Sequence, residues 1–226
     1  MVPGKKELAV PLARAQVEAA ARLYHDHCRD WRAADEALES LALAFPDFDL
    51  RACVLKVAAL NALYGTQIYG VVSVARHVHG VLRDGAGPTE MHLFDRLATV
   101  PHVKRRLSSF AAKFAHFFID SERFPIYDAY ALRMVTYHLE GRPRAEVPYH
   151  AFVAAFTRLK ESLDFPVTAR ELDRYLWLAG QYRAWSGLPP WRQPYRNVNA
   201  EARRLFEADA CEIRALLAAL LGQVGV

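Results

Sequence analysis

One lysine stands in an otherwise apolar helical segment. Lys113 lies within residues 108–118, and its predicted neighbours on the helix are large aromatic side chains, namely Phe110, Phe114, Phe117 and Phe118. An amine in such a setting must reach solvent with its tip, pair with an acid or lose part of its hydration. Loss of hydration lowers the pKa of an amine and makes it a better nucleophile. Lys113 is therefore a candidate catalytic nucleophile.

A carboxylate follows at the start of the next predicted helix. Asp128 comes directly after Pro125, Ile126 and Tyr127, and an aspartate at that position caps a helix by accepting from backbone N–H groups. A capping carboxylate that faces a cleft can also activate a water molecule. The sequence leaves open whether Lys113 and Asp128 do chemistry or form a buried ion pair.

Two stretches of the chain lack acidic residues. The first, residues 96–119, contains Lys104, Arg105 and Arg106, and the second, residues 174–200, contains four arginines and three of the four tryptophans. Basic groups bind a phosphate backbone, and aromatic rings stack on unpaired bases. The alternative is that the aromatic residues of the second stretch belong to the core and to a proline-rich flap. Together the two stretches favour DNA as a partner.

The elements that carry these residues are helical. Apolar residues recur at helical spacing, as in Phe152, Ala155, Phe156 and Leu159, and no useful length alternates as a strand does. We expect an all-α fold of eight to ten helices in a single helical domain over residues 1–226, with a turn over 84–88. The predicted helix caps are Asp49, Thr89 and the capping box of Thr168 with Glu171. Asp35 is predicted to be a first-turn helix acid, and Lys56 to lie on a solvated helix face.

Composition limits the class of protein. With 226 residues, 53% of them hydrophobic and 24% charged, the chain can bury a core and is not disordered. It contains no apolar run long enough to span a membrane and no secretory signal, and its three scattered cysteines predict reduced thiols in a cytoplasmic protein. The most tempting metal ligands, His25 and His27, are two residues apart and diverge on a helix. The sequence therefore predicts neither a metal nor another cofactor.

The order of these features resembles that of the helix-hairpin-helix DNA glycosylases, most closely their compact 8-oxoguanine DNA glycosylase branch. The shared features are a turn of small residues at 108–109, a helix with Lys113 and the pair His116-Phe117, a short loop, and residues 125–128 at a helix start. Residues 60–68 are similar to an early helix and turn of that superfamily. The resemblance covers residues 49–182, with flanking helices in 1–48 and 183–226.

This resemblance implies a function for each candidate residue. The fold would consist of two helical lobes with a cleft, and the enzyme would flip a damaged base, such as an oxidised purine, out of the DNA stack. Asp128 would stabilise the sugar cation or activate the nucleophile, and Lys113 would attack C1′ and form a Schiff base. The implied DNA-binding residues are Lys104, Arg105, Arg106, Ser108, Ser109 and His116. The implied base pocket contains Tyr64 and Trp177.

Two departures from the family pattern keep a second function open. The glycosylase hairpin is rich in glycine, whereas this chain has Ser108 and Ser109 there, and serine restricts φ more than glycine does. Aligning His116 with its family counterpart also places Ala112, not Lys113, at the lysine position. The alternative is a non-catalytic helical module that binds nucleic acid or a protein partner on the same fold. The oligomeric state is not predicted.

Overall fold

The computed structural model describes residues 7–85, 89–101, 103–144, 146–195 and 198–223. These residues form eleven α-helices and no strand, which confirms the predicted all-α class. The helices are α1 (Arg14–His27), α2 (Arg29–Ala44), α3 (Leu50–Tyr64), α4 (Val71–Arg83), α5 (Glu90–Ala98), α6 (Ser108–Phe118), α7 (Ala129–Glu140), α8 (Tyr149–Ser162), α9 (Ala169–Ser186), α10 (Ala200–Phe206) and α11 (Cys211–Leu220). None of them combines the length and the apolar character that crossing a membrane requires.

The helices divide between two compact units. One unit, which we call the discontinuous unit, combines Met1–Arg32 with Asp128–Val226, and the other, the continuous unit, is Ala33–Tyr127. The boundary falls within α2. The predicted division into a core over 49–182 and flanking helices stays a prediction.

In the discontinuous unit, α9 is the central helix. It contacts α1, α7, α10 and α11, and α7 also contacts α8. Its inward side chains, including Leu172, Tyr175 and Leu176, have no exposed surface. In the continuous unit, α3 contacts α4 and α6, and α5 contacts α4 and α6. Phe94, Phe110 and Phe114 form the aromatic part of that core.

Local capping chemistry sets several helix ends where the sequence predicts them. The carboxylate of Asp49 accepts from the Ala52 N–H at 2.8 Å, and the Thr89 hydroxyl accepts from the His92 N–H at 3.1 Å. Thr168 and Glu171 form the predicted capping box at the start of α9. The structure thus confirms these predictions. Each cap can be predicted from the sequence because it needs only residues within one helical turn.

The expected number of helices is wrong by at least one. The chain breaks between α1 and α2 at Cys28, whose φ of −99° and ψ of 66° are not helical. Neither proline nor glycine stands there, so the sequence contains no breaker signal. Residues 86–88 of the predicted turn, together with His102 and Arg196 of the two acid-free stretches, lie outside the described residues.

Two polar residues that the sequence assigns to helix surfaces are buried in the continuous unit. Lys56 is only 1% exposed; its Nζ donates to the Asp47 carbonyl at 2.9 Å and lies 3.9 Å from the centre of the Phe48 ring. Burial lowers the pKa of this amine below its ordinary value. Asp35 lies in the middle of α2, not in its first turn, and is also buried. Both predictions are wrong, because residues outside their own helices contact these side chains.

A buried polar chain ties both ends of the discontinuous unit to its centre. The His138 side chain is fully buried; its Nδ1 lies 2.9 Å from the Val10 carbonyl and its Nε2 lies 3.0 Å from the Tyr175 hydroxyl. Because a carbonyl only accepts, Nδ1 carries the proton and Tyr175 donates to Nε2. Gln16 donates to the Tyr175 oxygen and to the Leu220 carbonyl, both at 3.3 Å. The neutral imidazole therefore satisfies both of its nitrogens.

Acidification is expected to destabilise the protein through His138. Burial lowers the pKa of this imidazole from 6.5 to about 4, so between these pH values the unfolded chain binds a proton that the folded chain refuses. The stability is fully present above pH 6.5 and is lost as the pH falls towards 4. From pH 7 to 4.5 this group should remove about 2 to 3 kcal/mol from the free energy of unfolding.

Urea unfolding curves recorded across this pH range measure the effect. The His138→Gln protein should be less stable at pH 7 but should lose less stability on acidification than the wild type. His150→Gln is the matched control, because His150 is exposed on α8. Equal pH dependence of the wild type and the His138→Gln protein would contradict the prediction.

Candidate functional site

Asp128 is the N-cap of α7, as the sequence predicts. Its carboxylate accepts from the backbone N–H groups of Tyr130 and Ala131, each at 2.8 Å. Both bonds end on Oδ1, so the backbone of α7 fixes the carboxylate in position. The side chain is half-buried at the helix start. The positive end of the α7 dipole favours the ionised carboxylate there.

Lys113 lies in the middle of α6 with only 8% of its surface exposed. Its Nζ donates to the Ser109 hydroxyl oxygen at 2.6 Å, one helical turn earlier. The hydrogen bond directs the amine towards the N-terminal end of α6. The sequence correctly predicts that this lysine sits in an apolar helix. It does not predict the serine partner, although the i, i+4 spacing of Ser109 and Lys113 is the available signal.

The basic loop, residues 99–107, joins α5 to α6. Its ends are fixed by the buried side chains of Val100 and Leu107, and the Leu107 N–H donates to the Ala98 carbonyl at 2.9 Å. Between these anchors Lys104, Arg105 and Arg106 are exposed. The fold of the loop therefore places three consecutive cationic side chains on the surface of the continuous unit.

Two of the three cations also contact their own unit. The Arg105 guanidinium donates to the Gln67 carbonyl at 2.8 Å, which holds the loop between α3 and α4. Arg106 forms an ion pair with Asp95 and lies over the Phe94 ring, 5.7 Å from its centre. Among the described residues, the exposed amine of Lys104 makes no contact of this kind.

The remaining predicted DNA-binding residues differ in accessibility. Ser108 is half-buried and Ser109 is exposed, at the first two positions of α6. His116 is 3% exposed, and its Nδ1 lies 2.9 Å from the Phe124 carbonyl, to which it donates. The imidazole of His116 thus closes the loop after α6 and stays away from solvent. The role predicted for His116 in DNA binding gains no support from this position.

The two predicted base-pocket residues lie in different units. Tyr64, at the end of α3 in the continuous unit, donates its hydroxyl proton to Asp35, and its ring centre lies 5.2 Å from that of Phe117. Trp177, on α9 of the discontinuous unit, packs against Trp31 with ring centres 4.1 Å apart and the ring planes tilted by 48°. Lys113, the basic loop, both serines and His116 share the continuous unit with Tyr64, whereas Asp128 shares the discontinuous unit with Trp177.

One aromatic cluster near Asp128 is not predicted by the sequence. The Tyr130 ring, in the first turn of α7, lies 6.0 Å from the ring of Trp191, which belongs to the proline-rich segment after α9. The guanidinium of Arg133 lies over the same Trp191 ring at 5.6 Å. Burial raises the pKa of the Tyr130 phenol to about 12. The basic-aromatic composition of residues 174–200 is the only sequence signal for this cluster.

No three histidine, cysteine, aspartate or glutamate side chains of the described residues group as metal ligands would. The three cysteines are free thiols, two of them buried. Burial raises the pKa of Cys53 to about 11 and that of Cys28 to about 12, so both thiols stay protonated at neutral pH.

Comparison with known proteins gives one partial match. A family model described as HI_0787_N, an N-terminal domain, matches residues 16–122, just under half of the chain. No curated protein and no solved structure matches the chain significantly. The matched segment runs from α1 through α6, so it includes the basic loop and Lys113 and ends before Asp128. The match is a likeness to that domain, and its description names no activity.

Proposed function

We propose that this protein is a helical DNA-binding enzyme that excises damaged bases, with oxidised purines as the first substrates to examine. The observation that carries the proposal is the carboxylate of Asp128, which two backbone N–H groups of α7 fix at a helix start. A fixed anion stabilises positive charge that develops on a sugar without having to reorganise during the reaction. This is the chemistry that breaking a glycosidic bond requires, because C1′ becomes cationic.

Lys113 supplies the second part of the proposed reaction. In a bifunctional mechanism its neutral Nζ forms a bond to C1′ while the bond to the base nitrogen breaks, and the base leaves with that electron pair and takes up a proton. The amine then gives up one proton, its lone pair forms a C1′=N bond as the C1′–O4′ bond breaks, and O4′ leaves with the electron pair of that bond and takes up a proton, so that a protonated Schiff base results. The burial of the lysine supports this role, because removal from water disfavours a charged amine.

The basic loop is the proposed phosphate contact. Lys104, Arg105 and Arg106 neutralise backbone phosphates whatever the sequence, so affinity for duplex DNA should fall steeply with salt. Ser108 and Ser109 add hydroxyl and backbone N–H donors at the start of α6. Arg105 also holds the loop between α3 and α4, and Arg106 pairs with Asp95 of α5, so Lys104 is the residue whose replacement disturbs the fold least.

Replacing Lys104 with alanine should weaken duplex binding uniformly across DNA sequences. Removal of one phosphate contact is expected to reduce the slope of log affinity against log salt concentration by about 1. Fluorescence anisotropy with several duplexes, measured between roughly 50 and 200 mM salt, reports both quantities. Arg158→Ala is the control, because Arg158 is an exposed cation on α8, outside both acid-free stretches. An unchanged slope in the Lys104→Ala protein would remove the loop from the interface.

A second candidate function is a binding module without catalysis. It is favoured by the hydrogen bond from Lys113 to Ser109, which gives the amine a structural role, and by the absence of glycine from the described residues of the basic loop. Such a module would bind DNA with the same salt dependence and would excise no base. Excision assays on oxidised, deaminated and alkylated bases separate the two functions.

A further inference from the structure

The segment that follows α9 is a built structure, which we call the flap (residues 187–195). Its two ends meet α9, because the Tyr195 N–H donates to the Ala184 carbonyl at 2.8 Å and the buried Arg183 guanidinium donates to the Pro189 carbonyl at 2.8 Å. Gly187 begins the flap with a φ of +67°, and a Cβ there would lie 2.8 Å from the Pro194 ring. The backbone conformation at the start of the flap therefore requires glycine at position 187.

The flap brings Trp191 to the first turns of α7. Tyr130 faces it at 6.0 Å with the two rings inclined by 36°, and Arg133 covers the indole from the same helix. Close approach of α7 to α9 makes this possible, since a Cβ on Gly180 would lie 3.0 Å from the Tyr130 Cβ. Trp191 and Tyr130 each keep part of their surface in solvent, and the side chain of Tyr195 is 47% exposed beside them.

The charges around these rings favour an anionic, flat ligand. Residues 174–200 contain no acid, and the flap itself carries the exposed Arg192. An acid that lies near the Tyr130 ring is Asp128, whose negative charge acts on the Tyr130 phenol. The Oδ1 of Asp128 accepts from the α7 backbone. Exposed aromatic faces with adjacent guanidinium groups are the chemistry by which proteins hold unstacked bases of a phosphate-bearing strand.

We propose that the flap and the first two turns of α7 form a binding site for an unstacked nucleobase, with Trp191 as its principal stacking surface. Arg133 and Arg192 provide positive charge for the attached phosphates. This inference rests on the proposed function, because it places a base beside Asp128 within the discontinuous unit. In this proposal the flap binds the base, and Tyr64 and Trp177, the base-pocket residues predicted from the sequence, are not required for it.

Fluorine NMR of protein labelled with 5-fluorotryptophan tests the site directly. The signals of Trp31, Trp177, Trp185 and Trp191 are assigned through single Trp→Phe variants and then followed during titration with a short single-stranded oligonucleotide. The Trp191 signal should shift or broaden with the base-containing strand and should move far less with an abasic strand of the same length. The signal of Trp185, which lies beneath Arg203, should not respond to the bases.

Affinity measurements on variants give the second readout. Loss of one stacked base should weaken single-strand binding by roughly 5- to 100-fold in the Trp191→Ala protein, whereas Trp191→Phe should retain most of the affinity. Trp185→Ala is the matched control and should bind within about twofold of the wild type, because the half-buried Trp185 packs beneath Arg203 and is no part of the proposed stacking surface. Circular dichroism and melting temperature show whether each variant is folded. If Trp191→Ala does not fold, the affinity of Trp191→Phe still tests the site.

The possible failures are distinguishable. If the wild type binds oligonucleotides but Trp191→Ala binds equally well, or the Trp191 signal follows the abasic strand equally, the flap site is overturned and the proposed function stands. If the wild type binds no DNA at low salt, the proposed function fails and the flap site fails with it. A response of Trp177 in place of Trp191 would move the base to the pocket predicted from the sequence and would also overturn this inference.

Discussion

Base excision by the Asp128→Asn protein is expected to fall by roughly 10²- to 10⁴-fold, while its melting temperature stays close to that of the wild type. Asparagine caps helices about as well as aspartate, so it can still accept from the Tyr130 and Ala131 N–H groups. It carries no charge and cannot stabilise a cation on the sugar. Single-turnover cleavage of an oligonucleotide that contains an oxidised guanine measures the loss.

The chain offers a matched control for this substitution. Asp49 caps α3 through an equivalent bond to the Ala52 N–H at 2.8 Å, so Asp49→Asn makes the same chemical change at another helix start. It should leave the excision rate unchanged. Full excision by Asp128→Asn would show that the carboxylate only caps α7. Unfolding of that variant, together with no binding of nucleic acid by the wild type, would make Asp128 structural.

Borohydride treatment during the reaction should trap a covalent complex with the wild type and none with the Lys113→Gln protein. The reagent reduces the Schiff base between Nζ and C1′, which glutamine cannot form. The amide of glutamine can still donate to the Ser109 hydroxyl, so the contact that Lys113 makes at 2.6 Å has a substitute. Gel electrophoresis shows whether the covalent complex is present or absent.

Two further measurements define what a loss of trapping means. The Lys160→Gln protein, altered on α8, should trap as the wild type does, because a lysine outside the site takes no part in the reaction. If Lys113→Gln loses trapping but still excises the base, the enzyme uses Asp128 with a water nucleophile. Trapping that persists in Lys113→Gln would exclude Lys113 as the nucleophile.

Sequence reasoning succeeds here where the physical cause is local. Asp49, Thr89 and Asp128 are recognisable as caps because a cap needs a short polar side chain and the next turn of backbone. The helical class follows in the same way from apolar residues that repeat at one period. The apolar surroundings of Lys113 can also be read directly, since its neighbours lie within a single helix.

The same reasoning fails where burial depends on partners that are distant in the chain. Lys56 has the sequence of a surface residue, but the loop at Asp47 and Phe48 and the distant ring of Phe118 make it a buried cation. Asp35 is buried as the hydrogen-bond acceptor of Tyr64, which lies at the far end of another helix. Trp191 meets Tyr130 because Gly180 allows two helices to approach closely, and no spacing rule connects these three positions.

The discontinuous unit has a consequence for synthesis on the ribosome. Helix α1 packs on α9 and α11, which are translated after the whole continuous unit, because every residue of that unit is made before Asp128 emerges. At translation rates of about 5 to 20 residues per second, the buried face of α1, with Leu23 and Tyr24, waits roughly ten to thirty seconds for its partners. The continuous unit can fold during that interval. The buried face of α1 therefore stays uncovered in the nascent chain until α9 and α11 have been made.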